Sequence, residues 1–125
     1  LTTGEYVGNE DCLFLNIATP TVRSSNFAVV VNLHGGGLIA GAGDIDPFRA
    51  DFINEAGVIY VAPHYRLNTL GFLNSGDRSS PGNYGIKDMI RALQWVRNNI
   101  AAFGGDPFNV AIMGVSGGGV AVSDF

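Results

Sequence analysis

Two apolar runs in this chain each end abruptly in a glycine turn, and this repeated junction limits the fold more than any other feature. Phe27 to Leu33 is a Val-rich run that meets His34-Gly35-Gly36-Gly37, and Val110 to Met113 leads into Gly114-Val115-Ser116-Gly117-Gly118-Gly119. A run that is apolar throughout, rather than at alternate positions, predicts a strand buried on both faces, the condition of a parallel sheet covered by helices. A third such run, Val58 to Ala62, follows the makings of a short helix: Asp46 as N-cap, Pro47 at the first helical position, Phe48 and Phe52 four residues apart, and Gly57 as the stop. Strand, helix, strand in that order predicts parallel pairing through a right-handed crossover, and with it an α/β fold.

The remaining elements fit around this unit. Leu13, Leu15 and Ile17 alternate with Cys12, Phe14 and Asn16, a period of two that predicts an early strand, and Thr19 to Asn26 then supplies turn chemistry. Leu67 to Gly82 is rich in Gly, Asn, Ser and Asp and reads as a long surface connection. From about Asn83 to Phe103 the apolar residues Ile86, Met89, Ile90, Leu93, Val96 and Ile100 recur at helical spacing. This predicts a helix that buries Ile86, Ile90, Leu93 and Ile100, exposes Lys87, Arg91 and Asn98, and ends at Gly104-Gly105. Val120 and Ala121 open one more helix after the second glycine turn.

At 125 residues, 46% of them hydrophobic, the chain has material for one modest core and no more than one domain. Its formal net charge is −4 and its basic residues are scattered singly, which argues against binding to nucleic acid or to a membrane surface. No apolar run approaches the roughly 20 residues of a membrane span, and no signal segment opens the chain. It begins at Leu1 rather than Met and closes at Phe125, a few residues into the last expected helix, as a fragment does.

The chemistry lies in the two glycine turns. With 18 glycines among 125 residues, Gly-x-Ser-x-Gly arises by chance in roughly one shuffled chain in seven, but His-Gly-Gly-Gly in only about one in a hundred. Both follow a predicted strand, the context that each mechanism demands. A nucleophile on a tight strand-to-helix turn sits in a strained backbone conformation and needs neighbours without side chains, which explains Gly114 and Gly118 around Ser116. The turn lifts the hydroxyl above the sheet and beside the N-terminus of the next helix, where negative charge is favoured. Gly35-Gly36-Gly37 is complementary, because successive glycines let backbone N–H groups approach a substrate carbonyl oxygen unobstructed.

Two other uses of these glycines fit less well. A phosphate-binding P-loop ends in Lys followed by Ser or Thr, and neither turn has that pair. A dinucleotide fingerprint requires Gly-x-Gly-x-x-Gly spacing and a later acidic residue, neither of which Gly114 to Gly119 offers. A serine hydroxyl also needs a base. Where a nucleophile turn of this kind occurs, the order along the chain is Ser, then Asp or Glu, then His, whereas His34 and His64 both precede Ser116. His34 therefore reads as an anchor for its own glycine loop and His64 as a residue at a strand end, with the base and its carboxylate expected beyond Phe125. Cys12, the single cysteine, is either a buried thiol or half of a disulfide with a partner outside these residues, and spacing alone favours the thiol.

Several blocks, in order, carry a family resemblance. Glu10-Asp11-Cys12-Leu13-Phe14-Leu15-Asn16 resembles the opening signature of the carboxylesterase/cholinesterase family, the type-B carboxylesterases. His34 to Gly37, Tyr65-Arg66-Leu67, Gly71-Phe72-Leu73 and Pro81-Gly82-Asn83-Tyr84-Gly85 resemble the blocks that follow it. Asp88, Ala92-Leu93-Gln94-Trp95-Val96, Asn99-Ile100 and Phe103-Gly104-Gly105-Asp106-Pro107 continue the likeness to the serine turn, so that it covers nearly the whole chain.

The resemblance implies an α/β-hydrolase fold, with residues 1–125 forming part of one larger domain roughly four times this length. It implies that Ser116 is the acylated nucleophile and that the N–H groups of Gly36, Gly37 and Gly117 form the oxyanion hole. It also implies that Cys12 pairs with an upstream cysteine, that Glu10 and Arg66 form a buried ion pair, and that the protein is secreted or held in the endoplasmic reticulum lumen. The expected substrate is a small-molecule carboxylic ester, and no metal or organic cofactor is called for. Without the downstream base, the 125 residues alone are expected to be inactive. Three positions depart from the family pattern: Val115 replaces a polar residue, Gly117 an alanine, and Leu38 an aromatic. The last weakens any case for a cationic choline-type substrate, which needs aromatic faces. Some members of the family keep the fold and serve as adhesion ectodomains, and Ser116 with an intact glycine loop argues against that alternative.

Overall fold

The computed structural model describes residues 8–22, 26–44, 47–123 and 125. Among the described residues, four strands and four α-helices follow the order β1 (Leu15–Ala18), β2 (Phe27–Leu33), α1 (Pro47–Glu55), β3 (Val58–Pro63), α2 (Asn68–Phe72), α3 (Tyr84–Asn99), β4 (Gly105–Gly114) and α4 (Gly117–Ser123), with a 3₁₀ turn at Ile100–Phe103. The sheet order is β1-β3-β2-β4. β2 runs parallel to both β3 and β4, and β1 is antiparallel to β3. This mostly parallel sheet with flanking helices is part of an α/β-hydrolase fold.

The strand sequences explain the layers. Val29, Val31 and Leu33 of β2 project to one face, with Ile59 and Val61 of β3, and are covered by Met89 and Val96 of α3, Ile100, and Ala121 of α4. On the other face Tyr60 and Ala62 meet Ala50 of α1, with Val30 and Ile53 packed alongside. Both faces of β2 and β3 are thus buried, the reason for their near-continuous apolar sequence. Asn32 interrupts that run. It is 8% exposed, and its Oδ1 has no partner among the described residues.

Several expectations shift. β1 starts at Leu15, and Leu13 and Phe14 lie exposed before it. Asp46, the expected N-cap of α1, lies outside the described residues, as do Leu1 to Val7 and Arg23 to Ser25. α1 turns Ala50 and Ile53 toward the sheet, and Phe52 is 73% exposed. The stretch read as a surface connection contains α2, whose buried Gly71 lies so close to the Arg66 carbonyl that a Cβ would collide with it. β4 is longer than Val110 to Met113. Its pairing skips between Phe27↔Gly105 and Val29↔Val110, so the residues between form a bulge.

The long helix keeps its predicted phase. Met89, Val96 and Ile100 are fully buried, Ile86 and Leu93 are partly buried against the core, and Lys87, Arg91 and Asn98 are exposed. Ile90, expected inside, is 40% exposed and lines a groove with Leu93, Val110 and Ile112. Gly104 ends this region at φ 85°, the left-handed conformation that favours glycine, and its N–H donates to the Ala101 carbonyl. No helix among the described residues is long and apolar enough to cross a membrane.

Candidate active site

Strand register brings the two glycine turns together. β2 and β4 are parallel neighbours, and Leu33 lies opposite Gly114, so the residues that follow each strand leave the sheet side by side. Crevices at this end of a parallel sheet are where α/β proteins bind ligands. A Cβ on Gly35 would stand 2.9 Å from the Val115 carbonyl and 3.4 Å from Ser116 Cβ, and one on Gly117 would stand 3.1 Å from both N and Cα of Gly37. Each turn therefore packs its bare backbone against the other. At Gly35 a side chain would force the two turns apart, whereas at Gly117 the contact is tight enough to need only a small shift.

Ser116 sits at the apex of the second turn with φ 54° and is exposed. A non-glycine residue in the left-handed region costs roughly 1–2 kcal/mol, which the surrounding packing must impose. Here the constraint is close. A Cβ on Gly114 would collide with the Gly118 carbonyl, and one on Gly118 with the Leu33 carbonyl and, at 2.6 Å, that of His34. β4, the turn and α4 can approach only because both positions are glycine.

Three backbone N–H groups near this serine are oriented by what the carbonyls of their own peptide units hold. No peptide bond is cis, and in a planar trans peptide the C=O and the next residue's N–H point in opposite directions. The Gly35 carbonyl accepts from His34 Nδ1 at 2.8 Å, which directs the Gly36 N–H away from the imidazole. The Gly36 carbonyl accepts from Ile39 N and Ala40 N, both at 3.1 Å, and so directs the Gly37 N–H. The Ser116 carbonyl accepts from Val120 N at 3.0 Å inside α4, and so directs the Gly117 N–H. None of the three meets an acceptor among the described residues. Gly36 and Gly37 reach this arrangement at φ 116° and 62°. Leu38, at φ 63°, packs against the core, and its carbonyl accepts from Asn68 N at 2.7 Å, which ties the loop to the start of α2.

Both imidazoles are engaged with backbone through Nδ1. His34 spends Nδ1–H on the Gly35 carbonyl, and burial holds its pKa below the ordinary value despite that bond, so the ring is neutral near pH 7. His64 accepts from Gly43 N at 3.3 Å through Nδ1, and its backbone N–H donates to the Phe14 carbonyl at 2.9 Å.

The other expected residues lie apart from the turn. Glu10, Cys12 and Arg66 line a cleft of about 1110 Å³ together with His64 and Tyr65. Cys12 is a free, partly buried thiol. The expected pair between Glu10 and Arg66 is corrected. Arg66 pairs instead with the 8%-exposed Asp88, Nη2 to Oδ1 and Nε to Oδ2 each at 2.7 Å, with a third bond from the Arg66 backbone N–H at 3.1 Å. These bonds raise the guanidinium pKa, while Glu10 is exposed and belongs to no ion pair among the described residues. Asp88 on α3 lies on the buried side beside the strand end that carries Arg66, and so wins the competition. Its sequence position in the predicted helix carries no signal of this role. Among the described residues no group of His, Cys, Asp and Glu is arranged to hold a metal.

The family model of the carboxylesterases matches residues 2–125. The chain belongs to the carboxylesterase family. Among curated relatives, esterase FE4 of Myzus persicae is 44% identical over 94% of this chain and 22% of its own length. Bile salt-activated lipase of Homo sapiens is 41% identical over 98% of this chain and 18% of its own. Among solved structures, a PNB esterase superposes with a TM-score of 0.85 at 42% identity, covering 92% of this chain and 25% of that one. The carboxylesterase segment described here thus spans about a fifth to a quarter of the proteins it matches.

Proposed function

We propose that the full-length protein is a carboxylic-ester hydrolase and that Ser116 is its nucleophile. The observation that carries this reading is the close packing of the Gly35 to Gly37 turn against Gly117 and against a serine held at φ 54°, with the N–H groups of Gly36, Gly37 and Gly117 unpaired among the described residues. Ser116 Oγ attacks the ester carbonyl carbon and gives its proton to a general base supplied by residues downstream of this chain. The carbonyl π electrons move to oxygen, and the three N–H groups stabilise that oxyanion. As the tetrahedral intermediate collapses, the base returns the proton to the departing alcohol and an acyl-serine remains. Water, deprotonated by the same base, then releases the acid and restores Ser116.

Residues 1–125 are, on this reading, part of one larger catalytic domain, and by themselves turn over no ester. The Cys12 thiol pairs in the mature protein with a cysteine outside the segment, which suits an oxidising compartment, the secretory lumen or the exterior. Leu38 packs against the core where an aromatic would line the rim, and this favours neutral over cationic esters. Short aryl esters, whose good leaving groups ask little of the pocket, are the substrates of choice for a test. Ser116→Ala in the full-length protein should lower kcat for such an ester by at least about 1,000-fold. Activity equal to the parent's would show that the nucleophile lies elsewhere.

A further inference from the structure

Tyr65 lies just past the end of β3, 31 residues from His34, and the two rings stack at 4.2 Å between centroids with 11° between planes. Its hydroxyl donates to the His34 carbonyl at 2.6 Å and lies 3.4 Å from His34 Nδ1. Tyr65 is 3% exposed, and burial pushes its pKa up to about 12, so it remains a neutral donor. Beside the Nδ1 edge of the imidazole, Gly41 has room for no side chain, since a Cβ there would press on His34 Nδ1 and the Gly35 carbonyl. The histidine is therefore stacked on a phenol ring and closely approached by the bare backbone of Gly41, with both its carbonyl and its Nδ1–H committed.

We propose that Tyr65 is a positioning residue of the oxyanion loop, gripping His34 through ring and hydroxyl so that His34 fixes the Gly35 carbonyl and thereby the direction of the Gly36 N–H. This rests on the reading of Gly36 as an oxyanion donor. The chain of cause is short. Tyr65 holds the His34 peptide, the imidazole holds the next carbonyl, and peptide planarity converts that hold into the direction of a donor. The donor's charge partner exists fully only in the tetrahedral intermediate, so loosening it weakens the transition state more than substrate binding.

Tyr65→Phe tests this in the full-length enzyme, because it keeps the stacked ring and removes only the hydroxyl. Active sites are counted by stoichiometric titration with an organophosphate, so that misfolded protein does not count as slow enzyme. Per titrated site, kcat for a short aryl ester should fall about tenfold, the worth of one misdirected hydrogen bond, with KM changed by less than about twofold. A trifluoromethyl ketone, which adds to the serine as a tetrahedral alkoxide, should bind more weakly by the same factor as kcat falls. His34→Asn, which keeps an N–H near the Nδ1 position, should retain more activity than His34→Leu. An unchanged kcat, a loss of rate matched by a loss of titratable sites, or equal activities of the two His34 variants would overturn the proposal. Ser116→Ala separates the two levels. If it stays active, the nucleophile reading fails, whereas an inactive Ser116→Ala beside a normal Tyr65→Phe defeats only the role given to Tyr65.

Discussion

The glycines of the serine turn differ in what a methyl group would meet, and this separates them experimentally. At Gly118 a Cβ would collide with two backbone carbonyls of β2 and its loop, which cannot retreat without moving the Gly35 to Gly37 segment. At Gly119 the nearest atom would be the Gly114 carbonyl oxygen at 3.2 Å, a tight contact that helix propensity offsets. Gly118→Ala should therefore destabilise by about 1–3 kcal/mol and slow serine acylation, while Gly119→Ala stays within about 1 kcal/mol of the parent. Chemical denaturation with acylation rates on both variants checks this, and equal effects would mean that the turn packs differently. The pattern Gly114, Ser116, Gly118 is legible in the sequence because each residue answers a local backbone demand. Tyr65 and Asp88 are not, since a hydroxyl or carboxylate finds its partner only when distant strands and helices are in place. The Arg66 pairing shows the consequence. Arg66→Ala strands a buried carboxylate and should cost about 3 kcal/mol, the low end for a buried pair because the Arg66 side chain is 37% exposed. Glu10→Gln should melt like the parent, and a loss as large as that of Arg66→Ala would restore the Glu10 pairing.

Among the elements, α3 is the one whose sequence period, 3.6 residues, fixes both its existence and its buried face. Met89 is fully buried beneath it, so Met89→Ala should cost about 2–5 kcal/mol, whereas the exposed Asn98→Ala should change stability by less than about 0.5 kcal/mol. Thermal melts of the two variants test the phase, and a large cost at Asn98 would rotate the helix. Shorter elements carry weaker patterns. α1 has nine residues and seats the small Ala50 against Tyr60, so its bulky Phe52 misleads about its inner face. α2 is a five-residue turn whose buried Gly71 answers the Arg66 backbone, a contact that no local periodicity encodes. β4 is readable from Val110 onward, where its register to β2 is regular. Before the bulge its pairing depends on Gly105, wedged where a Cβ would stand 2.8 Å from Ile100 and 2.9 Å from Val29.

For the molecule as a whole, parallel strand order converts two sequence motifs separated by nearly the whole middle of the chain into one surface. β2, β3 and β4 end at the same edge of the sheet, and from these ends come His34 to Gly37, Tyr65 and Ser116 respectively. The meeting of the two glycine turns thus follows from parallel pairing, whereas the hold on the first turn shows only in the contacts of His34 and Tyr65. The proposed function places one atom, Ser116 Oγ, at the centre of reaction. An organophosphate should bond to it covalently, because the phosphoryl oxygen can occupy the place of the substrate oxyanion between Gly36, Gly37 and Gly117. The most direct measurement is mass spectrometry of the peptide containing Ser116 after inactivation of the full-length protein. The account predicts one phosphoryl adduct, on Ser116, appearing in step with loss of ester hydrolysis and missing in Ser116→Ala. An adduct on any other residue, or inactivation that leaves Ser116 unmodified, would contradict it.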